Sequence, residues 1–374
     1  MLDFKSNGVA LDDAYVTWDE IGLDLGSIWA FGNNTRGQLG DGSTTHRSSP
    51  MQAGTSSNWI QVAAGDYHTI ALKSDGTLWG WGQNNLGQVG TGDITQYPFP
   101  FQIGTETEWT QISAGNYYSA ALKSNGTLWT WGQNTYGNLG LGDTSTRYSP
   151  TQVGTLTGWT HISCGLLHAV ALRSNGTLWT WGSNGDGELG SSNTLHRSSP
   201  VQVGTLTDWI SISSGYNTTA GIRTNGTLWM WGLNTDGQLG TTDRGNRSSP
   251  TQVGSLTTWR SIDCGFHTIA TKTDGTLWAW GSNSYGRLGD GTIIPKSSPV
   301  QVGSLTTWDN INAGHYHTTA IKSDGTLWVW GRGLSGRLGL GDTVNQSSPV
   351  QLGTSVNWKM AVAGGTHTVT IHSI

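Results

Sequence analysis

Trp59, Trp109, Trp159, Trp209, Trp259, Trp308 and Trp358 follow one another at intervals of 50 residues five times and 49 once. A second set, Trp29, Trp79, Trp129, Trp179, Trp229, Trp278 and Trp328, keeps the same beat. Each of these stands two residues before an aromatic and a glycine, as in Trp79-Gly80-Trp81-Gly82, and of 21 tryptophans only Trp18 falls outside the pattern. A side chain that buries about 150 to 250 Å², set at a fixed phase of every copy, marks a repeated core. The chain is one unit copied seven times, and whatever is individual about its function has to lie where the copies differ.

The copy that starts at Trp59 shows the unit. Ile60 to Gly65, His68 to Lys73 and Thr77 to Trp81 each alternate with period two, the pattern of short strands. Between the second and third strands six copies carry Asx-Gly: Asp75-Gly76, Asn125-Gly126, Asn175-Gly176, Asn225-Gly226, Asp274-Gly275 and Asp324-Gly325. That pair predicts a two-residue hairpin turn. A glycine-rich loop and a return strand complete a four-stranded antiparallel meander. One such sheet cannot cover its own faces, so the expected fold is all-β, a seven-bladed β-propeller occupying residues 26–374. The first copy opens at a third strand, Ser27 to Gly32, and the last ends at a second, His367 to Ile371. Pairing these N- and C-terminal half-blades closes the ring and removes exposed edges.

Composition narrows the function. The 56 glycines sit at fixed repeat positions, as turn chemistry and not as low complexity. Residues 1–25 hold six acids against Lys5 alone, which leaves 18 acidic and 18 basic residues in the ring. A neutral ring with an acidic head gives no footprint for nucleic acid. Neither a signal peptide nor a run of transmembrane length is expected, which predicts synthesis in the cytoplasm without membrane insertion. Cys164 and Cys264 replace an alanine of other copies, two blades apart, beyond the roughly 7 Å limit for a disulfide. They are expected as free, buried thiols.

The residues with chemical potential follow the repeat. His68, His168, His267, His317 and His367 share one phase with Tyr118 and Thr218. One per blade around a circle is a structural, hydrogen-bonded set, so no metal is expected. Asp93, Asp143, Asp243, Asp290 and Asp342 follow glycines and are expected to bond their own turns. Asn125, Asn175 and Asn225 head formal glycosylation triplets whose place in the hairpin explains them. Lys73, Lys123, Arg173, Arg223, Lys272 and Lys322 form one basic series; Arg47, Arg147, Arg197, Arg247 and Lys296 form another. Both are expected at one end of the ring as a solvated, self-compensated rim. No nucleophile, base and orienting acid occur as a unique set, so neither an enzyme nor a cofactor is expected.

The string Ala64-Gly65-x-x-His68-Thr69-x-Ala71-Leu72-Lys73-Ser74-Asp75-Gly76-Thr77-Leu78-Trp79-x-Trp81-Gly82, then Asn84-x-x-Gly87-Gln88-x-Gly90, resembles the regulator of chromosome condensation repeat. The resemblance covers roughly residues 25 to 374 and implies the propeller. In activity it implies a range: a guanine-nucleotide exchange factor for a nuclear GTPase, secreted inhibitors, and bacterial and viral surface proteins. Exchange factors of this kind carry extra loops and a β-wedge, for which unbroken periods of 49 or 50 residues leave no room.

Variation is concentrated in the loops joining the first to the second strand and the third to the fourth, which share one end of a meander. Tyr67, Tyr117, Leu166, Tyr216, Phe266 and Tyr316 lie in the first group, Tyr136 and Tyr285 in the second. Aromatic residues among asparagines and charges predict a recognition surface for a protein or for sugar rings; the alternative is that the rings pack locally between blades. Residues 1–25 lie outside the repeat, yet Phe4, Val9, Leu11, Tyr15, Trp18 and Ile21 give them an apolar side that predicts a docking segment. The stretch Phe4-Lys5-Ser6-Asn7-Gly8-Val9 with Leu11-Asp12-Asp13 is similar to the opening of some structural proteins of tailed bacteriophages. The expectation is therefore a non-catalytic display and recognition module, attached to a virion or other large assembly through its head and facing a host-surface protein or glycan. A soluble protein-binding or inhibitor module is the alternative.

Overall fold

The computed structural model describes residues 25–373. These form 28 strands, from β1 (Gly26–Gly32) and β2 (Arg47–Gln52) to β27 (Trp358–Ala363) and β28 (His367–Ser373), with a single 3₁₀ turn at Leu334–Gly336. Blade 1 is typical. Its strands β3 (Trp59–Ala64), β4 (His68–Lys73), β5 (Leu78–Gly82) and β6 (Tyr97–Gln102) pair in sequence order, all antiparallel. Blades 2 to 6 repeat it, and blade 7 is assembled from both ends of the chain. There β28 pairs with β1 over seven residues, Gly26 opposite Ser373 through Gly32 opposite His367, while β2 flanks β1 and β27 flanks β28. The expected closure is present.

Each blade buries a tryptophan cluster against its neighbour. Trp59 is almost fully buried and meets Trp79 and Trp81 edge to face, with centroids 5.7 and 6.2 Å apart. The third-strand indole also ties blades together: Trp81 Nε1 donates to the Gln38 carbonyl of blade 7 at 2.9 Å. Trp131, Trp181, Trp280 and Trp330 make the same bond one blade further on. The first strands line the central axis. Their side chains bridge successive blades, Gln61 Oε1 accepting from Ile112 N and Ser213 Oγ from Cys264 N. The outermost strands all carry a proline, such as Pro50 and Pro150, which withholds a donor from an open edge.

The hairpin between second and third strands differs from the expected two-residue turn. Gly76 N donates to Lys73 O, Lys73 N donates to Thr77 O, and in the pair only Gly76 has a positive φ, +76°. A two-residue type I′ turn needs positive φ at both central positions, so this is a three-residue loop with a glycine bulge. Asx earns its place by side-chain bonding: Asp75 Oδ1 accepts from Thr77 N (3.0 Å) and Thr77 Oγ1 (2.6 Å), and Thr77 Oγ1 accepts from Trp79 Nε1 (2.9 Å). Asn125, Asn175 and Asn225 do the same work, which confirms their turn role. Cys164 and Cys264 are free and buried, and burial pushes both thiols up to about 12.

Candidate functional site

Strand direction decides what can form a site. In blade 3, His168 lies opposite Gly182 and Gly182 opposite Arg197, whereas Trp159 lies opposite Arg173. Arg197 therefore shares an end with the first-to-second and third-to-fourth strand loops, and Arg173 lies at the other. The two basic series occupy opposite ends of the ring, contrary to expectation. In the first series Lys123 and Arg223 are compensated, by Glu106 and Asp208, but the lysines are not solvated. Lys272 Nζ sits 3.4 Å from the Trp278 ring centroid and 5.1 Å from that of Trp259, and Lys73, Lys123 and Lys322 occupy the same indole pairs. Burial lowers the amines of Lys73, Lys272 and Lys322, against the nearby Asp75, Asp274 and Asp324. These lysines are packing residues. Four of the five members of the second series are compensated as expected, among them Arg47 on Asp41 and Arg147 on Asp143 at 2.7 and 2.6 Å.

The histidine ring is structural. His68 Nε2 meets Ser119 Oγ of the next blade at 2.9 Å, and that hydroxyl donates to the Gln88 carbonyl. Because the hydroxyl proton is committed, the imidazole must donate through Nε2. His168, His267, His317 and His367 repeat the bridge to Thr219, Thr318, Thr368 and Thr69. Burial lowers His68 and His367 to about 3, so they stay neutral. The loop acids bond their own turns: Asp93, Asp143, Asp243, Asp290 and Asp342 each accept from the backbone N–H two residues on.

What remains is the loop end. Tyr67, Tyr117, Leu166, Tyr216, Phe266 and Tyr316 stand half-buried on its inner circle, while Tyr136 and Tyr285 are 39% and 37% exposed further out. The structure gathers only part of this set. Tyr216 of blade 4 stacks on Phe266 of blade 5 with centroids 4.0 Å apart. Phe266 lies 5.5 Å from Tyr316 of blade 6, which meets Tyr285 edge-on at 6.3 Å. His315 joins the stack and reaches across to Asp66 of blade 1, Nδ1 to Oδ1 at 3.0 Å. Burial raises the Asp66 carboxyl, against the pull of His315 and Arg337. On the other side Tyr117 is raised by burial and then by Asp66 and Tyr67, and Tyr136 packs on His196. On blades 4 to 6 the rings therefore pack locally between blades.

Three arginines complete this cluster, and sequence reading passed over them. Arg287, Arg332 and Arg337 bring their guanidinium carbons to 5.5, 5.2 and 5.5 Å from the Tyr316 ring centroid. The signal was available: Arg287 and Arg337 stand at the phase of Gln38, Gln88, Asn138, Glu188 and Gln238. A second departure is the outer strand of blade 1, Tyr97-Pro98-Phe99-Pro100-Phe101, where Phe99 is 53% exposed. The expected docking residues Phe4, Val9, Leu11, Tyr15, Trp18 and Ile21 lie outside the described residues.

A sequence profile of the RCC1-like domain matches residues 27–370. Comparison with curated protein sequences gives no match. Among solved structures, human WBSCR16 superposes with a TM-score of 0.84 at 21% identity, over 93% of this chain and 99% of that one. Prp20p from Saccharomyces cerevisiae, studied for its binding to Gsp1p and histones, gives 0.84 at 23% identity, over 93% and 92%. Yeast RCC1 (Prp20), in a structure with Kap60 bound to it, gives 0.85 at 21% identity, over 100% and 96%. At such identities the likeness carries the fold and leaves activity open. The profile match spans nearly all of the described residues, and the chain belongs to the RCC1-like domain family.

Proposed function

We propose that this propeller is a non-catalytic recognition module that binds a protein partner through its loop end, centred on blades 4 to 6, while residues 1–25 attach it to a larger assembly such as a virion. One observation carries the reading: the blades repeat their packing almost residue for residue, but the loops of one end diverge into the stack Tyr216–Phe266–Tyr316–Tyr285. Rigid aromatic side chains on a fixed scaffold cost little entropy when they bind, and they are enriched where partners meet. The head's apolar residues on an acidic background support attachment to protein and not to nucleic acid. Glycan stacking on the same rings is the second form of this reading.

The test uses the native assembly. Full-length protein should associate with it and a chain lacking residues 1–25 should not; if the shortened chain still docks, the attachment role fails. Separately, changing Tyr67, Tyr117 and Phe266 together to alanine should abolish partner capture by a variant whose melting shows an intact ring. Undiminished capture would remove the loop end as the recognition surface.

A further inference from the structure

We infer that the cluster of Arg287, Arg332 and Arg337 around Tyr316 is an oxyanion-binding site, built to take the carboxylate of an acidic segment of a protein partner. This rests on the loop end being the recognition surface and adds the chemistry it recognises.

The repeat shows what these arginines replace. In blades 7, 1 and 4 the glutamine side chain at this phase accepts a hydrogen bond from the backbone two residues before it: Arg36 N to Gln38 Oε1, Leu86 N to Gln88 Oε1, Asp236 N to Gln238 Oε1, at 2.8 to 2.9 Å. In blade 3 Glu188 does the same for Asp186 N. Arginine has five donors and no acceptor, so in blades 5 and 6 this loop bond is lost. The residues concerned, Tyr285 and Ser335, are in the left-handed region, with φ +83° and +63°. The substitutions thus work against the local turn, which points to a gain elsewhere.

The donors are only partly used. Arg287 is 3% exposed; it gives its Nη atoms to the His315 and Ser284 carbonyls, and its buried Nε has no partner. Arg337, equally buried, holds the Leu334 and Gly365 carbonyls. Arg332, half-buried, lies 4.6 Å from the Tyr285 ring centroid. None of the three makes an ion pair among the described residues. Asp236 acts on Arg287 and Asp66 on Arg337 through their fields alone, with neither in an ion pair to these arginines. Burial brings Arg287 and Arg337 down to about 10, so both remain charged at neutral pH. Three guanidinium groups, set against Tyr285, Phe266 and Tyr316 and without an ion pair among the described residues, form a donor-rich, partly desolvated cluster where a carboxylate is held more strongly than in water.

The experiment titrates the purified full-length chain with hexaglutamate and, in parallel, with inorganic phosphate, by calorimetry at low and high salt. Arg287→Gln and Arg337→Gln restore the glutamine that other blades carry and so should preserve the ring, which melting verifies; Arg332→Gln tests the more exposed group. Hexaglutamate should bind with an affinity that falls with salt, and each variant should weaken it about tenfold. No binding of hexaglutamate, binding of phosphate alone, or equal binding by the triple variant would overturn the inference. None of these outcomes depends on the aromatic-to-alanine capture assay, so the site and the recognition surface can fail separately.

Discussion

Asp263 shows how much a single channel residue can say about stability. It stands on the first strand of blade 5, accepts from Ser213 Oγ at 2.9 Å and from Ala313 N at 2.7 Å, and is pushed up to about 6 by burial, against those same hydrogen bonds. A carboxyl raised from 3.8 in this way favours the fold at low pH, and that contribution is lost as pH rises from about 4 through 6. At the same phase of blade 6, Asn312 Oδ1 makes the equivalent bond to Ala363 N, so the ring already accommodates an amide there. Asp263→Asn is therefore expected to stabilise the protein above pH 6 by up to about 3 kcal/mol, from a shift of about two units at about 1.4 kcal/mol each, and to change little at pH 4. Denaturant midpoints at pH 4 and 7.5 decide it: equal destabilisation at both would show the carboxylate to be a net asset. The five bridging histidines act in the opposite sense, because imidazoles held below 6.5 favour the fold above that value and lose their contribution as pH falls toward 3.

At the level of the hairpin and the loop, period and turn residues foretold which segments pair but not how the turns close. Asx-Gly was read as a two-residue turn, yet the side chain of Asp75 looks forward to Thr77, and its backbone does not adopt the positive φ that such a turn needs. Propensity statistics for the dipeptide cannot separate these forms, since both use the same two residues. The relay from Asp75 through Thr77 to Trp79 nonetheless gives the repeated threonine a defined role. Thr77→Val keeps the side-chain shape, removes both hydroxyl bonds and leaves the Trp79 indole N–H without its acceptor, for an expected loss of about 1 to 2 kcal/mol. Chemical denaturation would measure it, and a loss below the error would mean that water replaces the hydroxyl. The misplacement of the two basic series has a similarly simple origin: they lie on the second and fourth strands, which both run away from the loop end, but one series closes its strand and the other opens it, so the same strand direction puts them at opposite ends.

For the whole molecule, the seven copies and their closure were readable because repetition multiplies a weak signal, and β28 meets β1 as the two half-blades require. The candidate site was readable only in outline. Tyr216, Phe266, Tyr316 and Tyr285 were picked out by type, but which rings touch depends on the order of blades around the axis, and this sets Tyr67 and Tyr136 apart from that stack. The arginines were missed because charge was counted by series, whereas their meaning lies in replacing an amide at one phase on two adjacent blades. The central claim is that this end, and neither the opposite face nor the outer rim, meets the partner. The most direct measurement places a photoreactive side chain at Tyr316, at Phe99 on the rim or at Leu206 on the opposite face, and cross-links each protein in its native source. The account predicts a discrete partner adduct from position 316 and none from 206; adducts from 99 or 206 with none from 316 would contradict it.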